Sequence, residues 1–145
     1  EGRLFGLALK HARADIYRAL LESIGFGIRH NIDGMLAESI YPKRILAVGG
    51  GAKNLVWMQI ISDIANIEMA IPDKQIGSSY GDAFLAGVGV GLFSGLDEIR
   101  KWVRYTHSIT PNPEATAGYQ PLYRIYRELY DQTRGLMSEL SALYS

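Results

Sequence analysis

Three consecutive glycines stand between a short apolar segment and an amphipathic one, in the stretch "ILAVGGGAKNLVWMQ" from Ile45 to Gln59. Glycine loses more conformational entropy on folding than any other residue. A tight turn that binds nothing needs only one glycine, so three in a row indicate that something must approach the backbone closely. We therefore predict a strand-to-helix turn whose N–H groups, at the start of a helix, face an anion or a flat ring.

The spacing of the glycines narrows the kind of ligand. The chain has no G-x-x-x-x-G-K-[ST] string, which excludes a phosphate-binding P-loop. The pattern G-x-G-x-x-N, formed by Gly49, Gly51 and Asn54, differs from the dinucleotide fingerprint G-x-G-x-x-G only at its last position. Asp73 lies near the position where that fingerprint has its acidic residue. A long helix before the strand and an Asn in place of the third glycine argue against that fingerprint. The spacing predicts adenine-nucleotide binding and leaves its kind open.

Helical periodicity predicts a long first helix from Leu9 to about Leu36, which Pro42 separates from the short strand "ILAV". A second helix is predicted from Lys53 to about Asn66, and a second strand over Glu68–Pro72. The predicted inward face of the first helix is Ala12, Ile16, Leu20, Ile24, Ile28 and Ile32, and that of the second is Trp57, Ile60, Ile61, Ile64 and Ala65.

The second half of the chain is predicted to be largely helical. A helix of small residues runs from about Tyr80 to Phe93, capped by Ser78 or Ser79, and its small side chains predict close packing on a neighbour. A short helix begins near Leu96, and "TPNPEATAG" is interpreted as a loop. The closing helix carries an apolar docking face made of Tyr119, Tyr123, Tyr126, Tyr130, Thr133, Met137, Leu140 and Tyr144.

Two parallel strands joined by a helix predict an α/β fold with a right-handed crossover. A two-stranded sheet is marginal, so the remaining strands are expected upstream of this sequence. The chain begins with Glu1 rather than Met, which suggests a fragment. The free sheet edge beside "ILAV" is then expected to pack on a second copy, giving a homodimer, or on the upstream half.

Composition excludes several classes of function. The 145 residues carry 15 acidic and 15 basic side chains, which gives no electrostatic case for nucleic acid or an anionic membrane. There is no cysteine, which excludes disulfides and thiolate metal sites and suits a reducing cytoplasm. No apolar run reaches the roughly 18 residues of a membrane span. The three histidines lack metal-ligand spacing, and Asp63, Asp73 and Asp82 are interpreted as structural carboxylates, so no metal or catalytic residue is predicted.

Four segments, in order, resemble the C-terminal domain of the FGGY carbohydrate kinases, and xylulokinase-like members most. They are "GLALKHARADIYRALLESIGFGIR" with R-A-x-x-E at Arg18, Ala19 and Glu22, "VGGGAKNLVWMQIISDI", "GSSYGDAFLAGVGVGLF" and "YQPLYRIYRELYDQT". The resemblance covers nearly the whole chain, so residues 1–145 are identified as the C-terminal portion of that domain. Ser62 before Asp63 is a departure, since the family often has Ala at that position.

The resemblance implies an actin-like, ribonuclease-H-like fold in two lobes, with ATP in the cleft between them. Such kinases transfer the γ-phosphoryl group of ATP to a sugar hydroxyl with Mg²⁺, here a pentulose such as xylulose. Carried over onto this sequence, adenosine lies against Gly50, Gly51 and Ala52, with Asn54 near the base or ribose. The implied partners are a sugar, ATP and the N-terminal lobe of the same parent chain, in the cytoplasm.

The family's catalytic aspartate and phosphate-gripping hairpin belong upstream of Glu1. This chain alone is therefore expected to be inactive, because phosphoryl transfer needs positioning and charge stabilisation from all parts at once. Two alternatives stay open. One is a dinucleotide-binding fragment of an oxidoreductase, and the other is an actin-like regulatory module that binds nucleotide without acting on sugar.

Overall fold

The computed structural model describes residues 4–74 and 77–144. These residues form five helices and three strands, together with two 3-10 turns at Gly50–Lys53 and Leu96–Glu98. The helices are α1 (Arg13–Ala37), α2 (Leu55–Ala65), α3 (Gly77–Gly89), α4 (Ile99–Trp102) and α5 (Pro113–Ala142). The strands are β1 (Arg44–Leu46), β2 (Glu68–Pro72) and β3 (Tyr105–Ile109). Within those described residues, none of the helices is long and apolar enough to cross a membrane.

The sheet has the order β1-β2-β3. Strands β1 and β2 run parallel, with Arg44 opposite Glu68, which confirms the predicted parallel pair. Strand β3 runs antiparallel to β2 and was not predicted, because its residues are mostly exposed and carry little apolar pattern. Strand β1 is terminal in this order, so its outer edge is unpaired in the described part of the chain, as predicted.

Helix α2 is the centre of the molecule. It contacts α1, α5, β2 and β3. Four of the five residues predicted to face inward are buried, Ile60, Ile61, Ile64 and Ala65, whereas Trp57 is half-buried. Met58, Ser62 and Asp63 are also buried and were not predicted to be. Ile60 and Ile64 pack with Phe26 of α1 and Tyr119 and Tyr123 of α5. On the other side, Met58 and Ile61 pack with Met69 and Ile71 of β2. The apolar periodicity of this segment therefore reflects burial on two sides.

The predicted inward face of α1 is wrong in its first half. Leu20 and Ile24 are about half exposed, at 54% and 48%, whereas Gly25 and Phe26 are buried. A strict step of four residues advances the direction around a helix by roughly 40° each time, because an α-helix has about 3.6 residues per turn. The stripe therefore rotates away from α2, and of its members only Ile32 is fully buried.

Two predictions about helix starts are also wrong. The segment "TPNPEATAG" is mostly helical, because Asn112 caps α5 and Pro113 occupies its first turn, where a missing N–H costs nothing. Asn112 Oδ1 accepts the N–H groups of Glu114 and Ala115 at 2.9 and 3.1 Å. Ser78 and Ser79 lie inside α3 instead of capping it, and α3 ends at Gly89, before Phe93.

The small residues of α3 were predicted to pack closely on a sheet or another helix, and the described residues show one close contact instead, with Phe93 in the turn that follows α3. A Cβ on Gly87 would collide with the ring of Phe93, whereas Gly81 and Gly89 have no atom within 4 Å of that position. The predicted docking face of α5 holds for its first part. Tyr119 and Tyr123 are buried, whereas Leu140 is 44% exposed and Tyr144, beyond the end of α5, is 82% exposed.

Candidate functional site

The three glycines lie at the C-terminal end of the parallel strand β1, between that strand and α2. Gly49 has φ +89°, a backbone conformation that side chains rarely adopt. Gly50 begins a 3-10 turn that ends at Lys53, and α2 follows at Leu55. Open α/β sheets bind ligands at the carboxyl ends of their strands, so the turn stands where a ligand site is expected.

The three glycines differ in what requires a residue without a side chain at each position. Gly49 is required by its positive φ, with open space around it. Gly51 is required by a neighbour, since a Cβ there would lie 2.8 Å from Cζ3 of Trp57. Gly50 has an ordinary φ and no atom within 4 Å of a Cβ, and it is exposed. No contact within the described part of the chain therefore explains Gly50.

The turn presents backbone donors. Its first hydrogen bond runs from Ala52 N–H to Gly49 O at 3.2 Å, so the N–H groups of Gly50 and Gly51 come before the bonded part of the turn. The first N–H groups of a helix have no acceptor within it, and they carry the positive end of its dipole. These two groups can donate to a phosphate, a hydroxyl or a ring nitrogen.

The other two predicted site residues are placed differently. Ala52 is only 3% exposed, and its methyl group packs with Met58 and Ile61, so it can offer a ligand nothing but backbone. Asn54 is exposed, and its Oδ1 accepts the N–H of Trp57 at 3.1 Å, which caps α2. Asn54 therefore has a structural task whether or not it also contacts a ligand.

Asp63 is a structural carboxylate, as interpreted from the sequence. It is nearly buried, and its Oδ1 accepts Nε2 of Gln59 at 2.8 Å and the N–H of Asn112 at 2.7 Å. It thereby fastens the start of α5 to α2. Within residues 4–74 and 77–144, no group of three His, Cys, Asp or Glu residues is arranged to hold a metal ion.

The R-A-x-x-E residues of α1 belong to a network with α5. Arg18 donates to Glu22 and to the hydroxyl of Tyr119, both at 2.7 Å, and that hydroxyl donates to Glu22 at 2.9 Å. Burial raises the pKa of Tyr119, and the hydrogen bonds to Tyr119 and Glu22 raise the pKa of Arg18. The network holds α1 and α5 together and lies on elements that flank α2.

Sequence reasoning missed the role of Trp57, which it treated as a core residue. The indole packs under Gly51, and its Nε1 donates to the carbonyl of Leu21 in α1 at 3.2 Å. A Trp six residues after a glycine, at the start of a helix, gives no periodic signal of such a contact. It becomes visible only when the turn folds back over the first turn of α2.

Comparisons with known proteins identify the family to which the chain is similar. Residues 1–90 match the model of the FGGY family of carbohydrate kinases, C-terminal domain. Xylulose kinase of Staphylococcus xylosus is 34% identical over 132 residues, which are 90% of this chain and 27% of that protein. The chain thus spans about a quarter of the length of the curated relatives it matches.

Two solved structures have a fold similar to that of this chain. The crystal structure of xylulose kinase from Rhodospirillum rubrum has a TM-score of 0.78 at 33% identity, over 90% of this chain and 27% of that one. The Plasmodium falciparum glycerol kinase solved with ADP has a TM-score of 0.72 at 26% identity, over 86% of this chain and 26% of that one.

Proposed function

This chain belongs to the FGGY family of carbohydrate kinases, and from that premise we propose that it is the ATP-binding C-terminal portion of a sugar kinase. The parent enzyme would transfer the γ-phosphoryl group of ATP to a hydroxyl of a pentulose such as xylulose. The observation that carries the proposal is Gly50, an exposed glycine at the end of a parallel strand, with open space where a side chain would be.

In this proposal the adenosine of ATP lies on the backbone of the turn. Gly50 and Gly51 give a flat surface with two N–H groups, and Ala52 contributes backbone only because its side chain is buried. Asn54 would reach the base or ribose from the start of α2. The open side of Gly50 fits a planar group, since a Cβ there would fill the space that the group needs.

Mg²⁺ would be held by the phosphates of ATP and by groups outside this chain. The absence of a three-residue metal cluster among residues 4–74 and 77–144 is compatible with that arrangement. A magnesium ion usually keeps several waters and takes its other ligands from substrate phosphates and one or two carboxylates. The catalytic base and the phosphate hairpin would come from the rest of the parent, so this chain alone should not turn over substrate.

The choice of xylulose rests on the named relatives, since the sugar would be bound mainly by the other lobe. Xylulose kinases of several bacteria are 29–34% identical to this chain. A cytoplasmic location is proposed because ATP and phosphorylated sugars are used there and the chain has no cysteine. The proposed protein partner is the N-terminal lobe of the same parent.

The isolated chain would associate with that lobe or with a second copy of itself, giving a homodimer. Strand β1 is the end of the sheet, and Leu46 and Val48 beside the glycine turn are each about half exposed. Unpaired edges and exposed apolar patches favour association. Light scattering of the isolated chain tests this, and a stable monomer at high concentration would contradict it.

The proposed function is tested by titrating the 145-residue chain with ATP, ADP and NADH and following the amides of residues 49–54 by NMR. We expect shifts with ATP and ADP but not with NADH. Gly50→Ala should weaken ADP binding by about tenfold, because it fills the open side of the turn, and should leave unfolding unchanged. Gly34→Ala is the matched control, since that glycine is also open and lies on α1.

Two outcomes would overturn the proposal. Shifts with NADH alone would favour a dinucleotide-binding fragment. Full ADP affinity in Gly50→Ala would show that the nucleotide does not lie on the turn.

A further inference from the structure

We propose that Trp57 is a positioning residue that sets the shape of the glycine turn and fixes it to α1. The inference rests on the proposed function where it concerns nucleotide affinity. Its structural part concerns the turn alone. Trp57 lies in the first turn of α2 and is half-buried, so it does not belong to the fully buried core.

The first contact is between the indole ring and Gly51. A Cβ on Gly51 would lie 2.8 Å from Cζ3, 3.5 Å from Cε3 and 3.6 Å from Cη2 of Trp57. The six-membered part of the ring therefore lies directly against the backbone of the turn. Real Cβ atoms essentially never come within 3.0 Å of another side chain, so Gly51 and Trp57 are matched to each other.

The second contact joins the same ring to α1. Nε1 of Trp57 donates to the carbonyl of Leu21 at 3.2 Å. A buried indole N–H usually finds a partner, and the partner fixes the direction of the ring. Leu21 precedes Glu22, which is hydrogen-bonded to Arg18 and Tyr119, so this part of α1 is itself held against α5.

The third contact involves the backbone of Trp57. Its N–H donates to Oδ1 of Asn54 at 3.1 Å, which fixes that side chain at the end of the turn. Trp57 thus touches two of the four proposed nucleotide-binding positions, Gly51 and Asn54, without being one of them. A surface that is already rigid before binding loses less conformational entropy when the ligand binds, which favours binding.

The expected role is therefore preorganisation. With Trp57 in place, Gly50 and Gly51 are held in one arrangement relative to α1 and α2. Without the ring, the turn can relax into the space beneath it. The affinity for ADP then falls although no atom that contacts the nucleotide has been removed.

The test is a double-mutant cycle with Trp57→Ala and Gly51→Ala in the 145-residue chain, read in two ways. In the chain without nucleotide, Gly51→Ala should shift the amides of residues 50–53 strongly when Trp57 is present and weakly when it is replaced. Trp57→Ala should also weaken ADP binding by roughly tenfold. Trp57→Phe, which keeps a ring but loses the N–H, should lie between the wild type and Trp57→Ala.

Ile60→Ala is the matched control. Ile60 of α2 is buried and packs with Phe26 and the tyrosines of α5. Its replacement should therefore lower stability without removing a contact to Gly51. Its ADP affinity should stay within about twofold of the wild type. If Trp57→Ala fails to fold, the comparison of Gly51→Ala with Trp57→Phe carries the test.

The two proposals fail separately. If the wild-type chain does not bind ADP but the Gly51 and Trp57 substitutions are coupled in the free chain, the proposed nucleotide site is wrong and the positioning of the turn stands. If the substitutions do not couple, or Trp57→Ala and Ile60→Ala weaken ADP equally, the role proposed for Trp57 is wrong.

Discussion

Helices α2 and α3 are both rich in apolar residues, yet they differ in how much of their surface is buried. Seven of the eleven residues of α2 are buried, and Ile64 is completely inaccessible. Helix α3 buries Phe84 and Gly87, but Leu85 is more than half exposed. The difference lies in the neighbours and not in the composition.

Helix α2 is enclosed by α1, α5 and the sheet. Helix α3 rests on a small aromatic group, in which Phe93 lies 5.1 Å from Phe84 and 4.9 Å from Trp102 between ring centroids. The chain spans about a quarter of its relatives, so we expect the open face of α3 to contact the rest of the parent protein. In a partial chain, apolar composition alone does not show which helix forms the core.

The largest expected difference between α2 and α3 is in the stability lost when an apolar side chain is shortened. Ile64→Ala should lower the free energy of unfolding by about 2–5 kcal/mol, because it opens a cavity among Phe26, Ile60 and Tyr119. Leu85→Ala in α3 should change it by less than about 0.5 kcal/mol. Urea unfolding followed by circular dichroism measures both, and equal losses would mean that α3 is packed as tightly as α2.

Replacing a glycine by alanine should destabilise the protein where the glycine packs against α2 and stabilise it in α3. A Cβ on Gly25 of α1 would lie 2.7 Å from Cδ1 of Ile64 and 3.4 Å from its Cβ. Gly25→Ala should therefore cost about 1–3 kcal/mol, since Ile64 has no room to move. Gly81→Ala in α3 has no atom within 4 Å and should stabilise by up to about 1 kcal/mol.

Gly34→Ala separates the clash from any general effect of alanine in α1, since Gly34 is on the same helix and has open space. It should stabilise or be neutral in the same urea experiment. A loss at Gly34 as large as that at Gly25 would show that α1 rejects alanine for a reason other than contact with Ile64.

Much of the fold could be predicted from local pattern. The spacing of apolar residues located α2, and β2 was predicted at Glu68–Pro72, the bounds that the structure has. Strand β3 could not be predicted, because it is defined by pairing with β2 and four of its five residues are exposed. The first half of α1 was misjudged because its apolar stripe does not follow the side that α2 covers.

The candidate site was predictable as a place but not as a set of contacts. Three glycines after a strand located the turn at the end of β1. Nothing in the spacing distinguished Gly50, which is open, from Gly51, which is closed by Trp57. That distinction depends on a ring that reaches back from α2 and on a bond to Leu21, 36 residues earlier in the chain.

The smallest expected effect concerns the starts of two helices, namely α5, which packs on α2, and α3. Asn112 accepts two N–H groups at the start of α5, and its own N–H is bonded to Asp63 of α2. Asn112→Ala removes the cap but keeps the backbone bond to Asp63, so it should cost about 1 kcal/mol. Ser78→Ala in α3 should change stability by less than about 0.5 kcal/mol, because Ser78 lies inside the helix rather than before it. Thermal unfolding of both variants measures the two losses. A larger loss at Ser78 than at Asn112 would mean that Ser78 contributes more to α3 than the cap contributes to α5.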